Sequence, residues 1–321
     1  MLRVIGETNI DFIGRRRGAF LLSAVVIIVG LASIAARGGI RLGVDFTGGV
    51  QVEVAVQSDA GTVDIGRVRD AVAGAGYDNR NIQQVGQAED NEFLIHVQTE
   101  ELEATASGDS TTVGRSTSQR ILDSLRSEFA TNTVVLRSVE SVGPKVGSEL
   151  RRAALQAVLL AMLLVVVYVA WRFELRYALA TLVAVGHDVI VTLGLFSLFN
   201  KELTLSIVAA LLTLVGYSVN DTIVVFDRIR EELKQKQRRE SNESIFNTGI
   251  NKTLSRTVLT SVTTLFVLFA LLIYAGAVIH DFAWVLAIGI VVGTYSSVFI
   301  AAPLVIVWQK RQALREAKKA A

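Results

Sequence analysis

Apolar residues gather into six runs of bilayer length: Gly18–Ala36, Ala153–Trp171, Tyr177–Phe199, Leu203–Phe226, Thr257–Ile279 and Phe282–Trp308. A helix needs about 20 such residues to cross the hydrocarbon core, so each run predicts a membrane span. Between the first two runs the pattern changes. Gly48–Gln57 places Val50, Val52, Val54 and Val56 at alternate positions, the period of a strand with one buried face. Val63–Ala75 carries Ile65, Val68 and Val72 at helical spacing and stops at Gly74 and Gly76. Asn81–Val85 and Glu92–Gln98 predict strands around an Asp90-Asn91 turn. Glu100–Thr117 is acidic and rich in Ser and Thr, which predicts a solvated loop. Gln119–Phe129 puts Ile121, Leu122, Leu125 and Phe129 on one helical stripe, and Thr133–Val142 closes the region as a strand. The order β-α-β-β-α-β is that of a ferredoxin-like domain. Two helices would cover one face of its sheet and leave the other for a partner.

The predicted fold class is therefore a polytopic α-helical membrane protein with six transmembrane helices and a small α+β domain. Its parts are an N-terminus with the first span (1–36), a translocated domain (37–152), a five-span bundle (153–308) and a basic tail (309–321). A cytoplasmic loop at 227–255 interrupts the bundle. The second half of that loop, with Ile245, Phe246, Ile250 and Leu254, has the spacing of an interfacial helix. Composition agrees with the class: 51% of residues are hydrophobic and only 19% charged. The chain holds no cysteine, so disulfides and thiolate metal sites are excluded. The first run lacks an A-x-A-like cleavage site, which predicts an uncleaved helix rather than a leader.

Charge placement sets orientation. Arg3 and Arg15–Arg17 precede the first span, and Arg172 and Arg176 separate the second and third. Arg228, Arg230, Lys234, Lys236, Arg238 and Arg239 follow the fourth, and Lys310, Arg311, Arg315, Lys318 and Lys319 follow the sixth. The alternate connections are nearly bare, so both termini are expected in the cytoplasm. Topology accounts for the basic residues, and nucleic acid need not be invoked.

Ionisable groups inside spans carry the candidate chemistry, because each costs at least a few kcal/mol there. Asp221 lies in the fourth run, about 7–8 Å from its cytoplasmic end at 1.5 Å per residue. Ser206, Thr213, Tyr217, Asn220 and Asp221 share a polar stripe. Arg256 enters the fifth span from the same side, followed by Thr257, Thr260, Ser261 and Thr264. Asp221 and Arg256 can thus sit at similar depth. They form either a proton-responsive pair or a static salt bridge between helices. His187 and Asp188 fall near the middle of the third run, as a relay, as a partner for a cation elsewhere, or as a packing hydrogen bond between helices. His96, alone on its strand, reads as a surface or packing residue. Gly289 and Gly293, with Thr294, Ser296 and Ser297, permit close helix contact. Pro303 predicts a kink near the end of the last span, and Gly143-Pro144 a joint between domain and second span. No G-x-S-x-G, H-E-x-x-H or paired catalytic aspartates occur, so no enzyme is predicted.

Several motifs, in order, resemble the SecD/SecF family of bacterial protein translocase subunits. They are Gly43-Val44-Asp45-Phe46-Thr47-Gly48-Gly49, Val142-Gly143-Pro144, Arg172-Phe173-Glu174, Gly186-His187-Asp188, Gly216–Glu231 and Thr253–Thr257. The short translocated domain matches the SecF side of the family. The resemblance implies one six-helix half of an RND-type bundle, with SecD supplying the other. It implies work with the SecYEG channel, which YajC and YidC can join, on a translocating preprotein in the inner membrane. It implies no cofactor other than the proton as coupling ion, and proton passage at the positions of Asp221 and Arg256. Asn220 and Asp188 are the further candidates. Two alternatives stay open: a proton-coupled exporter half for small molecules, and a scaffold without coupling.

Overall fold

The computed structural model describes residues 8–58, 61–79, 81–85, 88–98, 110–235 and 240–320. Helix α1 (Arg16–Ala36) leads through a one-turn helix, α2 (Val44–Thr47), into strand β1 (Gly49–Gln57). Next come α3 (Ile65–Gly74), β2 (Ile82–Val85), β3 (Glu92–Val97), α4 (Ser110–Glu128) and β4 (Thr133–Val142). The remainder is helical: α5 (Pro144–Arg172), α6 (Leu175–Leu198), α7 (Leu205–Lys234), α8 (Asn242–Tyr274), α9 (Ala277–Ser296), a π-helical turn (Ser297–Ala301) and α10 (Ala302–Ala320). Among the described residues six helical stretches are long and apolar enough to span a membrane, the last running through α9, the π turn and into α10.

The four strands lie antiparallel in the order β2-β3-β1-β4, the arrangement of a ferredoxin-like sheet. Val50, Val52, Val54 and Val56 of β1 pack with Phe93 and Ile95 of β3 against Val68 and Val72 of α3 and Ile121, Leu125 and Phe129 of α4. The alternation in β1 dictates which face the helices cover. Strand β4 breaks that alternation, since Val134 and Val139 both pack towards this core although five positions apart. A bulge resolves the conflict. Glu53 pairs with Ser138 but Val54 with Leu136, so Arg137 is the extra residue and the register changes phase.

The loop expected over Glu100–Thr117 needs correction. Residues 100–109 lie outside the described residues, but Ser110–Thr117 form the first turns of α4. Burial overrides local propensity here. Thr117 is fully buried, Val113 packs on the domain core, and Gly114 fits tightly under Ser141. The hydroxyls of Ser116 and Ser118 donate to the carbonyls of Val113 and Arg115 at 2.9 and 3.0 Å, which satisfies them inside the helix.

In the membrane, α6, α7 and α9 form the buried centre, while α5 and much of α1 and α8 face outward with apolar side chains such as Leu159, Leu163, Leu22 and Phe266. Gly30 of α1 and Gly194 of α6 let these helices touch backbone to backbone: a Cβ on Gly194 would lie 2.8 Å from the Gly30 Cα. Gly289 packs under Leu214 and Gly293 under Ser218, so this pair of glycines serves the α7–α9 contact inside the chain. The expected kink before Pro303 is the π turn. Proline lacks an N–H and its ring clashes with the carbonyl four residues back, and the wider π turn absorbs both defects.

No separate interfacial helix precedes the fifth span. The hydroxyl of Ser241 accepts from the Ser244 N–H and starts α8, which runs unbroken to Tyr274. The apolar face of its first turns, Phe246 and Ile250, packs on Ile229 of α7 and on Phe12 and Ile13 of the N-terminal arm. That arm is pinned by side-chain amides: Asn251 accepts from Ile10 N–H, Asn247 accepts from Ile13 N–H, and Asn247 donates to Asp11 at 2.7 Å.

The segment before β1 is stitched to the α6–α7 connection. Gly43 N–H donates to the Leu203 carbonyl at 2.8 Å, and Leu203 N–H to the Arg41 carbonyl at 2.7 Å. Asp45 accepts from the Leu205 N–H, the first residue of α7, at 2.7 Å. A carboxylate there satisfies a free helix-end donor and suits the positive end of the helix dipole. Gly48 and Gly49 then turn the chain with φ of +74° and +133°. A Cβ on Gly48 would lie 2.8 Å from the Pro144 Cα, so β1, β4 and the start of α5 meet at this point.

Two outcomes follow from these contacts. Gly194→Val forces α1 from α6 and should cost about 1–3 kcal/mol. The reading is a lower unfolding temperature in detergent, with Gly18→Ala unchanged because that position is open. The Gly14 N–H and Asn247 hold the Asp11 carboxyl below its free value of 3.8. Its hold on the arm is therefore complete above that value and is lost as pH falls through the lower, docked value. The protection of the Gly14 amide, its exchange relative to the intrinsic rate at each pH, should hold at neutral pH and be lost only below about pH 4, whereas Asp11→Ala should leave it unprotected throughout.

Candidate functional site

Asp221 sits on α7, sixteen positions after Leu205 and only 2% exposed. Its Oδ2 has no hydrogen-bond partner, and the same holds for two neighbouring buried hydroxyls, Tyr217 on α7 and Thr257 on α8. A buried carboxylate oxygen without a donor inside a bilayer is costly, and such exceptions concentrate at working sites. Asn220 and Arg256 are the polar groups that act on Asp221. Arg256 is on the adjoining helix α8, as the sequence predicts, yet no ion pair forms between the two within 4.0 Å. Asp221 is buried, whereas Arg256 and Asn220, which both act on it, are exposed.

Those two residues do not stand alone on that surface. Thr213 of α7 and Thr260 and Thr263 of α8 are exposed beside them. The threonine hydroxyls donate to carbonyls one turn back, Thr213 to Ala209 at 2.8 Å and Thr263 to Leu259 at 2.9 Å. Threonines satisfied this way tolerate lipid. An asparagine and a guanidinium cannot be satisfied so, and near the ends of the spans they take headgroup, water or protein partners.

Asp188 lies deeper and is fully buried on α6. Its Oδ2 accepts from Ser218 of α7 at 2.6 Å and from Ser296 of α9 at 2.7 Å, and its Oδ1 lies 2.9 Å from His187 Nδ1. Asp188 thus joins three helices, and it meets α7 only three residues before Asp221. Ser218, Ser296 and Asp45 are the site-shaping residues that residue pattern did not single out for these roles. The available signal was positional: Ser218 is one turn from Asp221, and Ser296 stands one glycine-turn from Gly293. His96 packs under the domain as expected, but 3.8 Å from Glu202 of the α6–α7 connection. Among the described residues no cluster of His, Asp and Glu could hold a metal.

The model for "protein export membrane protein SecD/SecF, C-terminal" matches residues 122–311, and the model for the "SecD/SecF GG motif" matches residues 33–60. The chain is 39% identical over 307 residues to the protein translocase subunit SecF of Gemmatimonas aurantiaca, covering 95% of this chain and 89% of that one. It is 42% identical over 305 residues to the SecF of Calditerrivibrio nitroreducens, covering 93% and 94%. The solved structure of SecDF from Thermus thermophilus, a translocon-associated membrane protein, superposes with a TM-score of 0.79 at 35% identity. That match covers 95% of this chain but 39% of the SecDF chain, so the chain spans about two fifths of the solved protein. Carrying both family signatures and aligning with SecF subunits over nearly all its length, the chain belongs to the SecD/SecF family of protein export membrane proteins, as a SecF member.

Proposed function

We propose that the chain is the SecF subunit of the protein-export machinery and couples proton movement at Asp221 to preprotein translocation, in complex with a SecD chain. The observation that carries this reading is the buried, unpartnered Asp221 oxygen beside an exposed Asn220–Arg256 face. SecD is the occupant of that face: the solved SecDF chain, into which this chain fits as two fifths, joins the two names in one polypeptide. SecYEG, and YajC and YidC with it, are the further partners that family membership supports. The distribution of Arg and Lys favours cytoplasmic termini and a translocated α+β domain. No bond-making step is assigned; the work is conformational. Each proton moved inward yields about 2.3 kcal/mol per 100 mV, before any pH difference is counted.

The route from proton to domain is short. Helix α7 carries Asp221 and begins at Leu205, whose N–H is held by Asp45 of the domain joint. Sixteen residues separate the two points, about 24 Å of continuous helix. A tilt or rotation of α7 on protonation is therefore delivered directly to the turn at Gly48 and Gly49. The α5 start at Pro144 abuts the same turn, so the joint can pass movement into the sheet.

The experiment uses the chain co-purified with SecD in sealed vesicles. Asp221→Asn should abolish the gradient-dependent part of export while complex recovery stays at the parent level; full gradient dependence in that variant rejects the reading. Joint neutralisation with Arg256→Gln separates coupling from scaffolding, since a scaffold regains export and a proton site does not. Asp45→Ala removes the cap on α7, worth about 1 kcal/mol. It should depress gradient-dependent export several-fold with Asp221 intact.

A further inference from the structure

The membrane interior holds a second buried carboxylate that the coupling at Asp221 does not use. Asp188 is 0% exposed, and so are Ser218 and Ser296, the two residues that donate to its Oδ2. The donors come from α7 and α9, helices that share no covalent connection with each other near this depth. Gly293 makes the approach possible, because a Cβ there would lie 3.2 Å from Ser218 Cβ and 3.5 Å from Asp188 Oδ2. On the other oxygen stands His187 Nδ1 at 2.9 Å. The ring of Tyr295, the residue before Ser296, lies 6.4 Å from the His187 ring, and its hydroxyl donates to the Ala19 carbonyl of α1 at 2.8 Å. The arrangement therefore reaches four helices through one carboxylate and one aromatic pair.

Two features set this node apart from ordinary packing. First, Ser218 precedes Asp221 by three residues, so the two side chains leave α7 within about 60° of each other. Fixing Ser218 fixes the rotation of α7 and hence where Asp221 points. Second, Ser296 is the last residue of α9 before the π turn at Ser297–Ala301. Such turns relieve strain locally and shift the helix phase by part of a turn, which is why they recur at functional sites. Asp188 grips α9 where that helix can change phase most easily.

We propose that Asp188 is a positioning residue of the coupling machinery: through Ser218 and Ser296 it holds α7 and α9 in the setting that keeps Asp221 buried and short of an ion pair with Arg256. Loss of either serine contact frees α7 to rotate, and Asp221 no longer alternates between defined buried and paired settings. The inference rests on the coupling reading of Asp221.

The test takes the chain with SecD in vesicles and compares Ser218→Ala, Ser296→Ala and Asp221→Asn with the parent. Each alanine removes one donor and leaves Asp188 in place. Gradient-dependent export should fall by about 3- to 30-fold in each, the range for residues that tune coupling between sites. The gradient-independent rate and the recovery of complex should stay at parent values, so the ratio of the two rates changes. A packing role instead lowers recovery and both rates together, and that result overturns the proposal. Parent gradient-dependent rates in both alanine variants overturn it as well. The two readings fail differently. If Asp221→Asn keeps its gradient dependence, both fall; if Asp221→Asn loses it while the alanine variants match the parent, only the positioning role falls.

Discussion

In a bilayer every polar group must find its partner inside the protein, and in this chain three aspartates face that constraint along one helix, two of them satisfied. Asp45 receives the first N–H of α7, Asp188 receives the Ser218 hydroxyl near its middle, and Asp221 is carried by the helix itself. The first two are satisfied. The third keeps an oxygen without a donor. A helix clamped at its start and its middle, with one unsatisfied charge beyond both clamps, has a defined place where free energy can be added or removed. The rest of the bundle follows from that. α6 and α9 must lie against α7 to supply Asp188 and Ser296, and glycines 289 and 293 are needed to let α9 approach. The outer helices α1, α5 and α8 are largely apolar on their exposed faces.

The same logic explains why the Asp-Phe-Thr-Gly-Gly stretch has that composition. Asp45 caps a membrane helix, and Phe46 is buried. The Thr47 hydroxyl donates back to the Gly43 carbonyl at 3.0 Å. Gly48 and Gly49 occupy positive φ, where a side chain is strained, and the Gly48 Cα faces Pro144 with no room for a Cβ. Each residue type is demanded by one local contact. The motif is a mechanical joint whose parts belong to the domain on one side and to α5 and α7 on the other.

Much of this was legible in residue order, and the limits of legibility have physical causes. The spans could be read because bilayer thickness imposes length, and the sheet because one covered face imposes a period of two on β1. The bulge at Arg137 could not be read, since it depends on which residue of β1 faces it. The first turns of α4 were mistaken for loop because Ser and Thr favour loops until tertiary burial and back-bonding reverse the preference. The continuous α8 was split at its charged start, where the amphipathic face of Phe246 and Ile250 looks the same whether it meets lipid or Ile229. Asp221 and Arg256 were both legible as costly residues at similar depth, and they do lie on adjacent helices. Facing direction is a different quantity: it depends on the rotation of α7, which Asp188 sets from another helix through Ser218.

The separation of Asp221 from Arg256 bears on why the chain needs a second one. Were the two paired within this bundle, the carboxylate would be neutralised by a fixed guanidinium and the site would be a strut. Instead the guanidinium is exposed, as is Asn220. A partner helix that covers this face with polar groups can accept Arg256 in one arrangement and return it to Asp221 in another. Under the proposed coupling, the charge on Asp221 would select between such arrangements. The buried carboxylate with a free oxygen and the exposed cation thus stand on adjoining helices, α7 and α8, without pairing.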